Sequence, residues 1–248
     1  MVSICTQVKD RNSFLLQTIP TWLDFPCDEI VIFDWPGNEK AVDIYKVFSD
    51  QRIKIFTNTE SDFYIYGQST AKNSAIRCCS GDIIFYIDAD TKITNKSIPM
   101  PRCKEFTQGR VLLKEHINKK GFEEIFVYGG IDERIFACET SGAFIVKKEN
   151  WVAINGFDER MVGWGFDDED FYIRLIESGL SRKTFLDEDL MHIDHDDNLR
   201  VSGYAIKNKM DSWNTNRILT QINKWSCKDI QQRYLMSLCH KNNMILEI

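Results

Sequence analysis

The first hundred residues alternate short apolar runs with segments of helical spacing, and no other feature of the chain limits its fold as strongly. Val2–Thr6, Glu29–Asp34, Arg52–Phe56 and Asp82–Asp88 read as buried strands. Between them, Arg11–Leu23 places Phe14, Leu15, Ile19 and Leu23 on one helical face, with Pro20 expected to bend it. Lys40–Phe48 and Ser69–Cys79 also carry helical spacing. Successive β-α units connect right-handed, so they predict an α/β fold with a mostly parallel, Rossmann-like sheet flanked by helices. Ligands bind such sheets beyond the carboxyl ends of the strands. Thr6–Arg11, Asp34-Trp35 and Asp88–Asp90 each follow a strand and are expected to converge there.

After about residue 100 the pattern becomes irregular. Short strands are expected at Val111–Lys114, Ile125–Tyr128, Ile135–Ala137, Ala143–Val146 and Lys183–Leu186, and helices over Lys148–Ile154 and Asp168–Ser178. One or two further helices fall within 204–240. The expected organisation is one domain over 1–203 with a helical extension, 204–248, packed on it.

The net charge of −6 argues against a nucleic-acid partner, which would require a basic surface. No apolar run reaches the length of a membrane span, and the first residues read as a strand rather than a secretory signal. The eight cysteines show no CxxC spacing, and the adjacent Cys78 and Cys79 are poorly placed to bridge each other. Reduced thiols and a cytoplasmic location are the expectation.

Two acidic clusters carry the chemistry. Asp88-Ala89-Asp90 ends an apolar strand, where residues two apart point the same way and both carboxylates could face one ion. Hard oxygen ligands suit Mg²⁺ or Mn²⁺, either of which leaves positions for phosphate oxygens. His192 and His195, two of only four histidines, could add imidazole ligands and tilt the preference to Mn²⁺. The other cluster, Asp167 to Asp170, follows Gly163-Trp164-Gly165 and opens a helix. Acids there favour the helix dipole, so a bare capping role is the alternative to chemistry. Lys9 and Arg11 sit at a helix start where they oppose the dipole, which fits an anionic partner. Asp34 could accept a hydrogen bond from a ribose hydroxyl or a base, or else serve as a helix cap.

The ordered set Thr6, Lys9-Asp10-Arg11, Asp34, Ala71-Lys72-Asn73, Asp88-Ala89-Asp90, Gly156-Phe157-Asp158-Glu159 and Trp164-Gly165-x-Asp167-Asp168 resembles inverting glycosyltransferases of the GT-A fold. The N-terminal half resembles the family 2 nucleotide-sugar transferases. The C-terminal half is similar to the galactosyltransferase-type region of β-1,4-galactosyltransferases and chondroitin-polymerase-like enzymes. The resemblance spans about residues 2–200. It implies a nucleotide-binding half over 1–100 and an acceptor and catalytic half over 101–203. Asp90 and His195 would then hold the metal, with His192 a weaker ligand and Asp88 on the ion or the ribose. Thr6, Lys9, Arg11, Asp34, Lys72 and Asn73 would bind the nucleotide. Trp164, Gly165 and Asp167 would face the sugars, Gly142 would line the donor sugar together with residues 129–130 and 139–141, and Asp168 would be the catalytic base. Phe166 departs from the Trp-Gly-Gly-Glu-Asp pattern of the resembled enzymes, as does Asp167.

The implied activity is metal-dependent transfer of a sugar from a nucleotide donor, a UDP-sugar first, to a hydroxyl of a glycan or glycoconjugate. Asp168 would be ionised at neutral pH, with an ordinary carboxylate pKa of about 4 helped by the helix N-terminus. A retaining transferase of the same fold and a catalytically inactive sugar- or nucleotide-binding module are the alternatives. A sugar nucleotidyltransferase would need a glycine-rich loop after the first strand, where this chain has Thr6-Gln7-Val8-Lys9-Asp10-Arg11.

Overall fold

A computed structural model describes residues 1–57, 66–108, 112–113, 142–186, 189–193, 195–196, 203–204, 206 and 208–223. Strands β1 (Val2–Val8), β2 (Glu29–Asp34), β3 (Ile53–Thr57) and β4 (Ile83–Tyr86) pair in the order β3-β2-β1-β4, all parallel. The sheet continues through β8 (Phe144–Lys147), β6 (Glu105–Gln108) and β9 (Ser181–Thr184). There β8 runs antiparallel to both neighbours, and β9 is parallel to β6. The mostly parallel, helix-flanked sheet expected from the β-α repeat is therefore present.

Strand alternation divides the core into two layers. Ile4, Val8, Ile30, Ile32, Phe85 and Ile145 point to one face, which α1 (Asn12–Leu23) covers with Leu15, Ile19 and Trp22. Cys5, Val31, Ile84, Tyr86, Phe144 and Val146 point to the other. That face is covered by α3 (Gln68–Cys78), α4 (Lys148–Ala153) and α5 (Asp167–Glu177). Phe171 stacks on Phe157 with centroids 4.2 Å apart and lies 4.8 Å from Phe144, which fixes the start of α5 over the sheet.

Three expectations change. The strand expected over Asp82–Asp88 stops at Tyr86, because Thr91 N–H donates to the Asp88 carbonyl and closes a turn (2.9 Å). The helix expected over Lys40–Phe48 shrinks to α2 (Val42–Tyr45), where only Ile44 is buried while Val42 and Tyr45 stay exposed. A separate small sheet was only partly expected: β5 (Thr91–Ile93) and β10 (Leu190–His192) have no counterpart in the sequence reading, while β7 (Leu112–Leu113) falls within the strand expected at Val111–Lys114, and the three pair in the order β5-β10-β7. Strands of two or three residues are too short to show a period. Pro20 lies inside α1 on its exposed side. Within 204–240, α6 (Lys209–Asn223) packs against α5. The strands expected at 125–128 and 135–137, the donor-sugar segment at 129–130 and 139–141, and residues 224–248 lie outside the described residues.

Candidate functional site

The small sheet builds the first half of the site. Its register sets His192 opposite Thr91, and Ile193 N–H donates to the Asp90 carbonyl (2.7 Å). His192 Nε2 therefore comes 3.4 Å from Asp90 Oδ1, and His195 Nε2 3.0 Å from Asp90 Oδ2. The acidic turn is held from beneath by α1, whose Thr18 hydroxyl donates to the Ala89 carbonyl (3.0 Å) and whose Trp22 indole donates to that of Thr91 (2.9 Å). Burial works against ionising Asp90, but the two imidazoles outweigh it and hold the carboxyl well below the usual range.

One carboxylate and two imidazoles thus offer ligand atoms all within 4.8 Å of one another. Asp90 Oδ1 and His192 Nδ1 are buried without a hydrogen-bond partner among the described residues. Orphaned polar atoms in a cluster of this kind fit a divalent cation, and mixed oxygen and nitrogen donors suit Mn²⁺. Asp88 is not part of the set. Because Asp88 and Asp90 lie on a turn rather than in extended chain, their side chains diverge. Asp88 Oδ1 accepts from the Tyr86 hydroxyl (3.3 Å), and burial raises its pKa. Oδ2 occupies the place where a Cβ on Gly142 would sit, so residue 142 must be glycine.

The other half is the start of α5. Gly165 has φ +89°, and any Cβ there would come 2.7 Å from the Trp213 ring. The residue before the helix, Phe166, is also left-handed at φ +66°, a conformation that favours glycine. Its ring is buried edge-on against Trp213 (centroids 5.3 Å), which accounts for a phenylalanine at this position. Trp164 is half-buried. Its N–H donates to the Ser212 hydroxyl (2.6 Å), which donates back to the Trp164 carbonyl (2.5 Å), and the Lys209 ammonium lies 4.3 Å from its ring centre. Asn216 donates to the Gly165 carbonyl (2.7 Å). Asp170 serves the fold, accepting from Arg174 Nε (2.7 Å) and the Thr220 hydroxyl (2.9 Å).

Asp167 and Asp168 share the ammonium of Lys72, at 2.7 and 2.5 Å. Lys72 is fully buried, and two carboxylates hold its proton tightly. Burial raises the Asp168 carboxyl well above the ordinary range; Lys72 pulls it down, and Asp167 and Asp88 push it up. The expected pKa of about 4 is corrected accordingly, since desolvation outweighs the helix terminus.

The residues expected on the nucleotide divide into two groups. Lys9 and Arg11 do lie at the strand ends, with Lys9 Nζ 5.1 Å from the Tyr66 ring centre and Arg11 3.6 Å from Asp90 Oδ2. The others are engaged inside the protein. Thr6 is buried and donates to the Gln7 carbonyl (3.3 Å). Asp34 accepts from Ala41 N–H (2.8 Å), the capping role its position allowed. Asn73 is locked to Phe157 through both its amide oxygen and nitrogen (2.9 Å each).

Two family models match this chain. Residues 3–100 match "Glycosyl transferase family 2", and residues 133–196 match "N-terminal domain of galactosyltransferase". The N-terminal part of the chain is thus similar to family 2 glycosyltransferases and a later part to galactosyltransferases. Among curated proteins no sequence relative reaches significance. Solved structures share the fold at low identity. A mannosyltransferase from Pyrobaculum calidifontis, in complex with GDP-Man and Mn²⁺, superposes with a TM-score of 0.54 at 14% identity over 89% of this chain. GalNAc-T7 with UDP, GalNAc and Mn²⁺ gives 0.59 at 12% over 98%. The catalytic domain of Drosophila β1,4-galactosyltransferase 7 with xylobiose gives 0.56 at 17% over 89%. The GT-A chain described here spans 61%, 54% and 79% of those three chains.

Sequence reasoning missed two sets of contributors to this site and the partners of a third residue. The Tyr66 ring stacks on Tyr204 (5.2 Å) and meets Trp35 edge-on (5.5 Å), making an aromatic wall beside Lys9. Ser212 and Asn216 tie the Trp164 loop to α6. Lys72 proves to be a counter-ion for two acids. Isolated tyrosines, serines and asparagines in a sequence carry no signal of such roles.

Proposed function

We propose that this chain transfers a sugar from a nucleotide-sugar donor to a hydroxyl of a glycan or glycoconjugate acceptor, with inversion at the anomeric carbon. The observation that carries the reading is the Asp90–His192–His195 donor set, with its orphaned atoms, at the strand edge where such folds bind ligands. Two of the solved structures named above, the Pyrobaculum mannosyltransferase and GalNAc-T7, hold Mn²⁺ with GDP-Man and with UDP, which favours Mn²⁺ here and a UDP-sugar as the first donor to try. A cation held by these three residues supplies charge neutralisation for the departing diphosphate.

The rest of the step belongs to the protein. Asp168 accepts the proton of the acceptor hydroxyl as that oxygen bonds to the anomeric carbon, and the bond to the diphosphate breaks on the opposite face. A carboxylate whose pKa burial raises is a stronger proton acceptor than an ordinary aspartate. The indole of Trp164 offers an apolar face to the C–H side of a pyranose, and Asp167 accepts from a sugar hydroxyl. Arg11 and Lys9 sit where diphosphate charge would lie. Among the described residues no helix is long and apolar enough to cross a membrane. A reducing, cytoplasmic setting remains our reading of the cysteines.

The test is a panel of UDP-, GDP- and dTDP-sugars with Mn²⁺, scored for nucleotide release and for the anomeric configuration of the product. Asp168→Asn is expected to keep nucleotide-sugar binding and lose about a thousandfold in transfer. Near-normal turnover by that variant removes Asp168 from the base role. A retained anomeric configuration overturns inversion.

A further inference from the structure

We propose that Lys72 is a positioning residue for transfer: its ammonium anchors Oδ1 of Asp168 so that Oδ2 faces the acceptor hydroxyl, and it offsets the charge Asp168 shares with Asp167. This rests on the reading of Asp168 as the base. Resemblance assigned Lys72 to the nucleotide, but the geometry points elsewhere.

Lys72 is completely buried, lying 5.0 Å from the Phe157 ring centre and 5.6 Å from that of Tyr86. An ammonium taken out of water costs several kcal/mol unless it is paired and hydrogen-bonded. A helix start needs no such cation, because its own N–H groups already favour acids. The fold nevertheless commits a buried charge to Asp167 Oδ2 and Asp168 Oδ1. Asp168 keeps 16% of its side-chain surface, and no hydrogen bond from the described residues occupies its Oδ2. One oxygen is held by Lys72 while the side chain keeps some exposed surface, which leaves the second oxygen to take a proton.

The charges around Asp168 also define what its pH response must be. Lys72 faces it from α3, Asp88 and the Tyr86 hydroxyl from β4 and the turn beyond, and Asp167, Glu169 and Tyr172 from its own helix. Lys72 is the one cation in that group, and it favours the ionised carboxylate. Asp167 opposes it.

The experiment is the pH profile of kcat/KM for transfer, with UDP binding in the presence of Mn²⁺ measured alongside. Lys72→Met is expected to lose about a hundredfold at neutral pH and to move the acid limb up by about one pH unit, a tenfold change in proton affinity. Asp167→Asn is expected to move the same limb down. UDP binding is expected to stay within about threefold of the parent in both. If Lys72→Met fails to fold with its carboxylates unpaired, the double variant Lys72→Met/Asp167→Asn removes one charge of each sign. Its limb is expected to stay above the parent's, because Lys72 has the larger effect. Limbs that coincide with the parent's in every folded variant overturn the proposal. So does weakened UDP binding with an unmoved limb, which would return Lys72 to the nucleotide. Failure of the base reading itself is distinguishable, since it shows as turnover by Asp168→Asn.

Discussion

Replacing Phe166 sets two effects against each other. The residue is 1% exposed and packs edge-on against Trp213, yet its φ of +66° suits glycine. Truncating a buried phenylalanine to alanine costs about 3–5 kcal/mol. The left-handed backbone costs a non-glycine residue about 1–2 kcal/mol, of which the greater freedom of an unfolded glycine returns part. Phe166→Ala therefore loses the packing and keeps the strain, for a destabilisation of about 4 kcal/mol. Phe166→Gly loses the same packing but sheds the strain, for about 3 kcal/mol. Packing wins, so the parent is the most stable of the three, and glycine ranks above alanine. For a chain of this length each kcal/mol moves Tm by about 2–4 °C, so alanine falls about 12 °C and glycine about 3 °C less. Thermal and denaturant unfolding of the three proteins measures the order. A glycine variant as stable as the parent refutes the packing value assigned to the Trp213 contact. An alanine variant as stable as the glycine one refutes the strain.

Three other perturbations have defined outcomes. His195→Ala should weaken Mn²⁺ binding on the order of a hundredfold, read by calorimetry without any donor, because one of the three proposed ligands, 3.0 Å from Asp90, is lost. Unchanged affinity would take His195 out of the set. Ser212→Ala should raise the acceptor KM and cost about 1–2 kcal/mol of stability while UDP binding holds, since both backbone groups of Trp164 lose their partner. Glu29 has a pH signature. Burial opposes its charge, but hydrogen bonds from Lys54, Ser3 and Ser80 hold its carboxyl at about 2 against an ordinary 4.5. That contribution is complete above the unfolded pKa and disappears as pH falls toward the folded one. The parent should therefore lose about 3 kcal/mol more than Glu29→Gln between those values, measured by denaturant titration. Parallel curves would contradict it.

The nucleotide-side architecture was legible because four buried strands and their helices carry clear periods, and the Asp90 turn with His192 and His195 stood out by residue type. The pairing that brings them together was not, since β5 and β10 are too short to read and a strand at 111–114 does not name its partner. Residues whose partners are distant could not be given those partners from sequence, for a common reason. Lys72 meets its acids 95 and 96 residues away, and Asn73 closes on Phe157 across 84. Resemblance placed them with the nucleotide, and only the tertiary structure shows their partners within the protein. Phe166 was the reverse case, a departure from pattern that its φ and Trp213 together explain.

The ties from α6 to the Trp164 loop have a consequence in time as well as in space. Ser212, Asn216 and Thr220 hold the loop and the start of α5 from 48 to 51 residues further along the chain. As the chain leaves the ribosome, its N-terminal strands can pair before those residues exist outside the tunnel. A nascent molecule thus passes through a stage with Asp90, His192 and His195 emerged and the Trp164 loop still untied. Among the described elements, the one that ties the Trp164 loop in place, α6, is made last.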